Sequence, residues 1–219
     1  MGTPERYRRV QEDYNSGICD AKNLANKQKA IFLDRDGTIN EYVGFLRKEE
    51  DFRLIPGVSE AIKKINNSGY LAIVVTNQPV IARGEVTEEK LEEIHKKMET
   101  LLGLDGAYID DIYYCPHHPD KGFEGEIPEL KIECDCRKPK TGMLEKAARE
   151  HNIDLSSSIM IGDSTLDIKM AENAGMQSVL LKTGQKGEDG KYEVSPTLIA
   201  EDLNDAINKI ICKKASKKL

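Results

Sequence analysis

The stretch Lys29-Ala30-Ile31-Phe32-Leu33-Asp34-Arg35-Asp36-Gly37-Thr38-Ile39-Asn40 sets the reading of the whole chain. Four apolar residues, Ala30 to Leu33, run without a polar break into two aspartates, the pattern of a buried strand delivering carboxylates at its carboxyl end. Side chains two apart on an extended strand share a face, so Asp34 and Asp36 can point into one site while Arg35 points away. Gly37 lets the backbone turn sharply behind them.

Downstream, Pro56-Gly57 precedes an apolar face at Val58, Ala61, Ile62 and Ile65, which predicts a helix over 58–66 that Gly69 ends. Tyr70 to Val75 follows as a second buried strand, ending in Thr76-Asn77-Gln78. Helix, turn and apolar strand in that order indicate a parallel α/β sheet, doubly wound in the Rossmann manner. A long amphipathic helix runs from a Thr87 cap to Leu102 with Leu91, Ile94, Met98, Leu101 and Leu102 at helical spacing; His95 on it is given no role. Further strands are expected at 109–114, 158–163 and 178–181, with helices at 142–151 and 167–173. A Gly-rich loop over 184–196 leads to a last helix over 198–211, and a basic, frayed tail is expected over 213–219. Residues 29–212 thus form one domain. Directly behind the first strand, Tyr42, Val43, Gly44 and Phe45 sit where a flap over the strand ends would lie.

Residues 1–28 are polar, with a short helix at most around Pro4 to Tyr14 and then a linker. Two readings stand for the start. Gly2-Thr-Pro-Glu-Arg-Tyr7 resembles the closing segment of sugar-nucleotide transferases, which implies an upstream nucleotidyltransferase fused to or associated with this chain; it also fits a plain helix start with Thr3 as cap and Pro4 in the first turn. At 219 residues, 32% charged and 39% hydrophobic, the composition is that of a globular domain. No apolar run approaches the ~20 residues a membrane span needs, the start is no signal peptide, and a cytoplasmic monomer without membrane contact is expected. A net charge of −6 argues against nucleic acid as partner, so an anionic small-molecule substrate would need a locally positive site.

Asp34/Asp36, Thr76/Asn77, Cys115 and Asp163 all fall at strand ends, and in doubly wound sheets ligands bind outside the carboxyl ends of the strands, so these distant groups can converge. Carboxylates brought together repel, and a hard divalent cation with oxygen ligands, Mg2+ above all, relieves that repulsion and admits a phosphate dianion. Other phosphate chemistries lack their loops: Gly190-Lys191 is followed by Tyr192 without the upstream glycine of a Gly-x4-Gly-Lys-Ser/Thr loop, and there is no Cys-x5-Arg. A second metal is indicated by Cys115-Pro-His117-His118-Pro119 and Cys134-Asp-Cys136. Three thiolates and an imidazole suit tetrahedral Zn2+; His117 is the expected fourth ligand, since Cys-x-His mirrors Cys-x-Cys. With no open position that zinc would be structural, ordering the loop 116–133 and placing Arg137 and Lys138.

Taken together, Asp34-x-Asp36-Gly-Thr, Thr76-Asn, Arg137-Lys138-Pro and Gly162-Asp163-Ser-Thr-Leu-Asp167 resemble the motif set of the haloacid dehalogenase superfamily over about 29–183. The resemblance implies that Asp34 is a nucleophile forming an aspartyl-phosphate and Asp36 an acid that becomes a base between steps. It further implies that Thr76 holds a phosphoryl oxygen with Asn77 beside it, Lys138 offsets transition-state charge, and Asp34, Asp163 and the Asp36 carbonyl hold Mg2+. Asp167 would orient water or neighbouring backbone. The cysteine loop resembles the zinc-loop branch holding heptose bisphosphate phosphatases and histidinol-phosphate phosphatases. His117-His118, the insert between the ligand pairs, and Ile81-Ala-Arg83-Gly84 after Thr76-Asn77-Gln78 favour the heptose side; Tyr42, Val43, Gly44, Phe45, Gln78, Arg83 and Arg137 would then contact a sugar phosphate. Pro79-Val80 and Ser164 depart from the usual heptose pattern of Ser-Gly and Lys. The stretches after Asp36 and Thr76 are too short for a large cap domain. A reading from another class, a catalytically idle zinc-ordered binding module, conflicts with the intact Asp34, Asp36, Lys138 and Asp163.

Overall fold

Every side chain of the first strand, β1 (Ala30–Leu33), is fully buried, which requires cover on both faces. The computed structural model, which describes residues 3–17, 19 and 23–215, provides it with a six-stranded parallel sheet between helices. The remaining strands are β2 (Leu71–Asn77), β3 (Asp111–Cys115), β4 (Ile159–Gly162), β5 (Gln177–Leu181) and β6 (Leu198–Ala200), in the order β3-β2-β1-β4-β5-β6. The helices are α1 (Pro4–Asn15), α2 (Val58–Asn66), α3 (Pro79–Ala82), α4 (Glu88–Leu104), α5 (Gly142–Glu150), α6 (Thr165–Asn173) and α7 (Leu203–Ala215). Alternation along β1 sorts them: Ile31 and Leu33 pack with α2, α4 and α7, while Ala30 and Phe32 pack with α5 and α6. In register, Phe32 pairs with Ile73 on one side and Met160 on the other.

The helix expected over 198–211 is instead a sixth strand followed by a helix. Leu198 to Ala200 pair with Val179 to Leu181, covering the β5 edge. The polar pair Glu201-Asp202 then breaks the chain, and Asp202 Oδ1 accepts the Asp205 N–H at 2.8 Å to start α7. That helix runs to Ala215, past the beginning of the expected tail; residues 216–219 of that tail lie outside the described residues. At the other end α1 begins as expected, Thr3 Oγ1 accepting from Arg6 N with Pro4 in the first turn, and buries none of its residues; Gly2 lies outside the described residues. The last part of the expected linker is not free chain. Gln28 is buried, bridges to Ile153, and donates through Nε2 to the Asn23 and Asn26 carbonyls.

Among the described residues there is no inserted cap domain, and no helix is long and apolar enough to cross a membrane. The long loop after β3 lies over α3 instead, Ile127 N donating to Ala82 O at 3.0 Å. The approach is so close that a Cβ on Gly84, whose φ is +70°, would sit 1.9 Å from the Gly125 carbonyl oxygen.

Candidate active site

Strand order reverses between β1 and β4, so a crevice opens outside their carboxyl ends. It holds a cavity of about 220 Å³ with Asp34, Asp36, Thr76, Lys138 and Asp163 in its wall. The ends of β1, β2 and β4 converge there, whereas Cys115 at the end of β3 does not line the cavity.

Asp34 Oδ1 accepts from Lys138 Nζ at 2.8 Å and from the Arg35 backbone N–H at 2.7 Å. The same ammonium donates to Asp167 Oδ1 at 2.7 Å and to the Val75 carbonyl at 3.1 Å. Asn77 holds this lysine by its backbone, its Oδ1 accepting from Lys138 N and its Nδ2 donating to Lys138 O. Asp167, wholly buried in the first turn of α6, accepts from both the N–H and the hydroxyl of Ser164 through Oδ2, orienting the backbone that follows Asp163. Asp163 Oδ2 accepts from Gln185 N at 2.6 Å. Gly37 passes so near that a Cβ there, at φ +84°, would lie 2.2 Å from Asp163 Oδ2, so the turn after β1 tolerates no larger residue.

Carboxylate oxygens of Asp34, Asp163 and Asp167 lie within 4.8 Å of one another, and Lys138 is the cation among them. Burial pushes Asp34 up to about 7 although Lys138 pulls the other way, and burial with the charges of Asp34 and Asp167 pushes Asp163 up to about 8. Burial disfavours the charged form of Lys138, but Asp167 and Asp34 outweigh it and keep the lysine protonated. A buried, oxygen-only donor set short of positive charge suits a hard divalent cation.

Asp36 shares the cavity but not this cluster. Arg35, expected to point away, is fully buried and folds its guanidinium onto Asp36, because a buried cation needs a partner. Asp36 Oδ1 accepts from Arg35 Nε at 3.2 Å and Oδ2 from Arg35 Nη2 at 2.7 Å, and Asn40 Nδ2 and Gln78 Nε2 each add a bond at 3.0 Å. Burial alone would raise its pKa, but Arg35, Asn40 and Gln78 outweigh that and hold the carboxyl below the ordinary range. Gln78, expected to face substrate, has its amide committed inward: Oε1 accepts from Arg35, and Nε2 also donates to Thr76 Oγ1 at 2.9 Å.

Of the expected flap, Tyr42, Gly44 and Phe45 line the cavity, whereas Val43 lines a neighbouring groove beside Arg47. Arg83 lies between the rings of Phe45 and Phe123, 4.2 and 4.4 Å from their centroids, which ties the flap to the long loop. Arg137 also reaches the cavity and donates to the His117 carbonyl. Ser164 and the Pro79-Val80 pair, the departures noted in the sequence, also lie in its wall, while His118, Leu166, Gln185 and Lys191 line it too and were not foreseen. Their positions follow from loop anchoring, as where Gln185 Nε2 donates to Tyr42 Oη and Asp189 accepts from Thr165. Only the His117-His118 doublet offered a sequence signal.

Beside the cavity, Cys115, His117, Cys134 and Cys136 form a second group. The sulfurs stand 3.2 to 3.5 Å apart and His117 Nδ1 lies 3.2 Å from Cys136 Sγ. Hydrogen bonds from Cys115 and Cys134, with His117 nearby, pull the Cys136 thiol down against the effect of burial. A zinc ion with ~2.3 Å bonds to sulfur sets ligand edges slightly longer than these, so the donors fit a tetrahedral ion after a small expansion. His118 is turned away, its Nδ1 accepting from Asp120 N.

The HAD-hydrolase-like family profile matches residues 135–206. A D-glycero-beta-D-manno-heptose-1,7-bisphosphate 7-phosphatase of Haemophilus ducreyi is 42% identical over 182 residues, 82% of this chain and 97% of its own length. A D-glycero-alpha-D-manno-heptose-1,7-bisphosphate 7-phosphatase of Photorhabdus laumondii is 44% identical, covering 73% of this chain and 85% of its own. Among solved structures, the D,D-heptose 1,7-bisphosphate phosphatase of B. bronchiseptica, complexed with magnesium and phosphate, superposes with a TM-score of 0.74 at 32% identity, over 85% of this chain and 99% of that one.

Proposed function

Since the chain belongs to the heptose-1,7-bisphosphate 7-phosphatases among the HAD-like hydrolases, we propose that it removes the 7-phosphate of D-glycero-D-manno-heptose 1,7-bisphosphate through an aspartyl-phosphate on Asp34. The observation that carries this is the Lys138 ammonium shared between Asp34 and Asp167, with Asp163 alongside, at the switch point of the sheet. Both protein contacts of Asp34 fall on Oδ1, so Oδ2 is the attacking atom. Oδ2 bonds to phosphorus as the bond to the sugar oxygen breaks, and the proton that the departing alkoxide takes up comes through Asp36, which must first be protonated against the hold of Arg35, Asn40 and Gln78 on its charged form. A water then attacks the same phosphorus, Asp36 accepts its proton, and the acyl-phosphate bond breaks to release phosphate and restore Asp34. Lys138 and the Thr76 hydroxyl stabilise the phosphoryl oxygens throughout.

Asp34, Asp163 and the Asp36 carbonyl would hold Mg2+, which supplies the positive charge that the buried acids lack when a phosphate dianion arrives. Cys115, His117, Cys134 and Cys136 would hold a structural Zn2+ that keeps Arg137 and Lys138, one and two residues beyond the last ligand, in place. Arg83, Arg137 and the flap residues Tyr42, Gly44 and Phe45 bind the distal part of the sugar phosphate. The test is phosphate release with Mg2+ from both anomers of the heptose bisphosphate and from histidinol phosphate. A heptose anomer is expected to give the highest kcat/KM with heptose 1-phosphate as product. Faster turnover of histidinol phosphate, or none of any sugar phosphate, would contradict the assignment.

A further inference from the structure

We infer that Arg35, anchored from behind by His95, is a positioning residue that fixes the orientation of the Asp36 carboxyl for proton transfer to the leaving-group oxygen. This rests on the phosphatase reading above. It concerns residues that neither touch the phosphate nor belong to the acid cluster.

The network has a fixed polarity. A guanidinium only donates, so His95 Nε2, 3.3 Å from Arg35 Nη1, must present its lone pair. Burial and the Arg35 charge push His95 down to about 3, which keeps the imidazole neutral and the lone pair available. On the other side Arg35 Nη2 donates to Gln78 Oε1 at 3.1 Å, which fixes the amide so that its Nε2 faces Asp36 and Thr76. Thr76 Oγ1 accepts from that Nε2, so its own proton is free to point elsewhere, and Thr76 lines the cavity. Arg35 is wholly inaccessible and His95 nearly so. Neither can serve substrate directly, and a buried guanidinium with its donors spent on an acid/base carboxylate and on the amide that orients a threonine is a device for alignment.

The test separates alignment of Asp36 from a general structural role. The parameter kcat/KM reports the first chemical step, in which a sugar alkoxide needs a proton and a p-nitrophenolate does not. His95→Leu removes the acceptor, and His95→Gln restores one at a similar reach. Arg35→Lys keeps the charge but loses the fork. His95→Leu is expected to lower kcat/KM roughly 10-fold for the heptose bisphosphate but less than about 3-fold for p-nitrophenyl phosphate, a fraction of what a general acid contributes. His95→Gln recovers to within about 3-fold, and Arg35→Lys shows the same split between esters, enlarged. Thermal unfolding confirms that each variant is folded, and Arg35→Lys decides the matter if His95→Leu is not. Equal losses on both esters, an unaffected His95→Leu, or no recovery in His95→Gln would overturn the inference while leaving the phosphatase intact. An unaltered protein inactive on both esters would remove the functional reading and this inference with it.

Discussion

Asp34, Asp163 and Asp167 gather hard oxygen donors from the ends of two central strands and the first turn of α6, whereas Cys115, His117, Cys134 and Cys136 gather soft donors along one loop that starts at β3. The acids are gripped from elsewhere in the chain: Asp34 and Asp167 by Lys138, Asp163 by Gln185. The thiols and the imidazole lean mainly on one another. The first cluster is therefore placed by the fold and stressed by its own charge, while the second must place itself and depends on whatever binds it. Lys138 joins them, since it follows Cys136 by two residues and lies between two of the acids.

That contrast breaks most visibly at the acids. Asp34→Asn should lower kcat by about 10⁴-fold or more while the metal-free protein melts no lower than the unaltered one, because the change removes a buried charge as well as the nucleophile. Steady-state kinetics with thermal unfolding checks both halves. Lys138→Met should lower kcat by about 10²- to 10³-fold. It should also destabilise the fold by about 3–5 kcal/mol, because Asp34 and Asp167 are left buried without their cation; urea titration measures this.

In the soft cluster the order reverses. Cys134→Ser should abolish bound zinc, lower Tm by about 5 °C or more and reduce kcat/KM about 10- to 100-fold through misplacement of Lys138. Metal analysis, melting and kinetics on one sample test this. Loss of zinc with kcat/KM unchanged would uncouple the two sites.

The smallest effect is on pH dependence. Asp34 and Asp163 hold protons in the metal-free fold up to about 7 and 8, against 3.8 for free aspartate, so the fold binds more protons than the unfolded chain in that window. Their contribution to stability is present in full below about pH 4 and is lost as pH rises through 7 to 8. The metal-free Tm should decline over that range, and Mg2+ should raise Tm by a few degrees more at pH 8 than at pH 5.

Much of this was legible in the chain because it rests on local pattern. Ala30 to Leu33 announced a strand buried on both faces, Val58, Ala61, Ile62 and Ile65 a helix face, and Cys-x-His with Cys-x-Cys a closed donor set. Leu198 to Ala200 was not legible as a strand, since three apolar residues before a helix look helical until the free edge of β5 is known. Arg35 was read by strand alternation, which gives the direction of Cβ but not how a long side chain returns to find its counter-charge. His95 and Gln78 owe their places to contacts some sixty and forty residues away, and no spacing rule reaches that far.

The most direct test of Asp34 as the phosphoryl acceptor is trapping during turnover. The protein would be mixed with radiolabelled heptose bisphosphate and Mg2+, quenched in acid, treated with borohydride and digested for mass spectrometry. Label that hydroxylamine releases, with borohydride reduction at Asp34 alone, is the expected result. Unlabelled protein during active turnover, or label on any other residue, would contradict it.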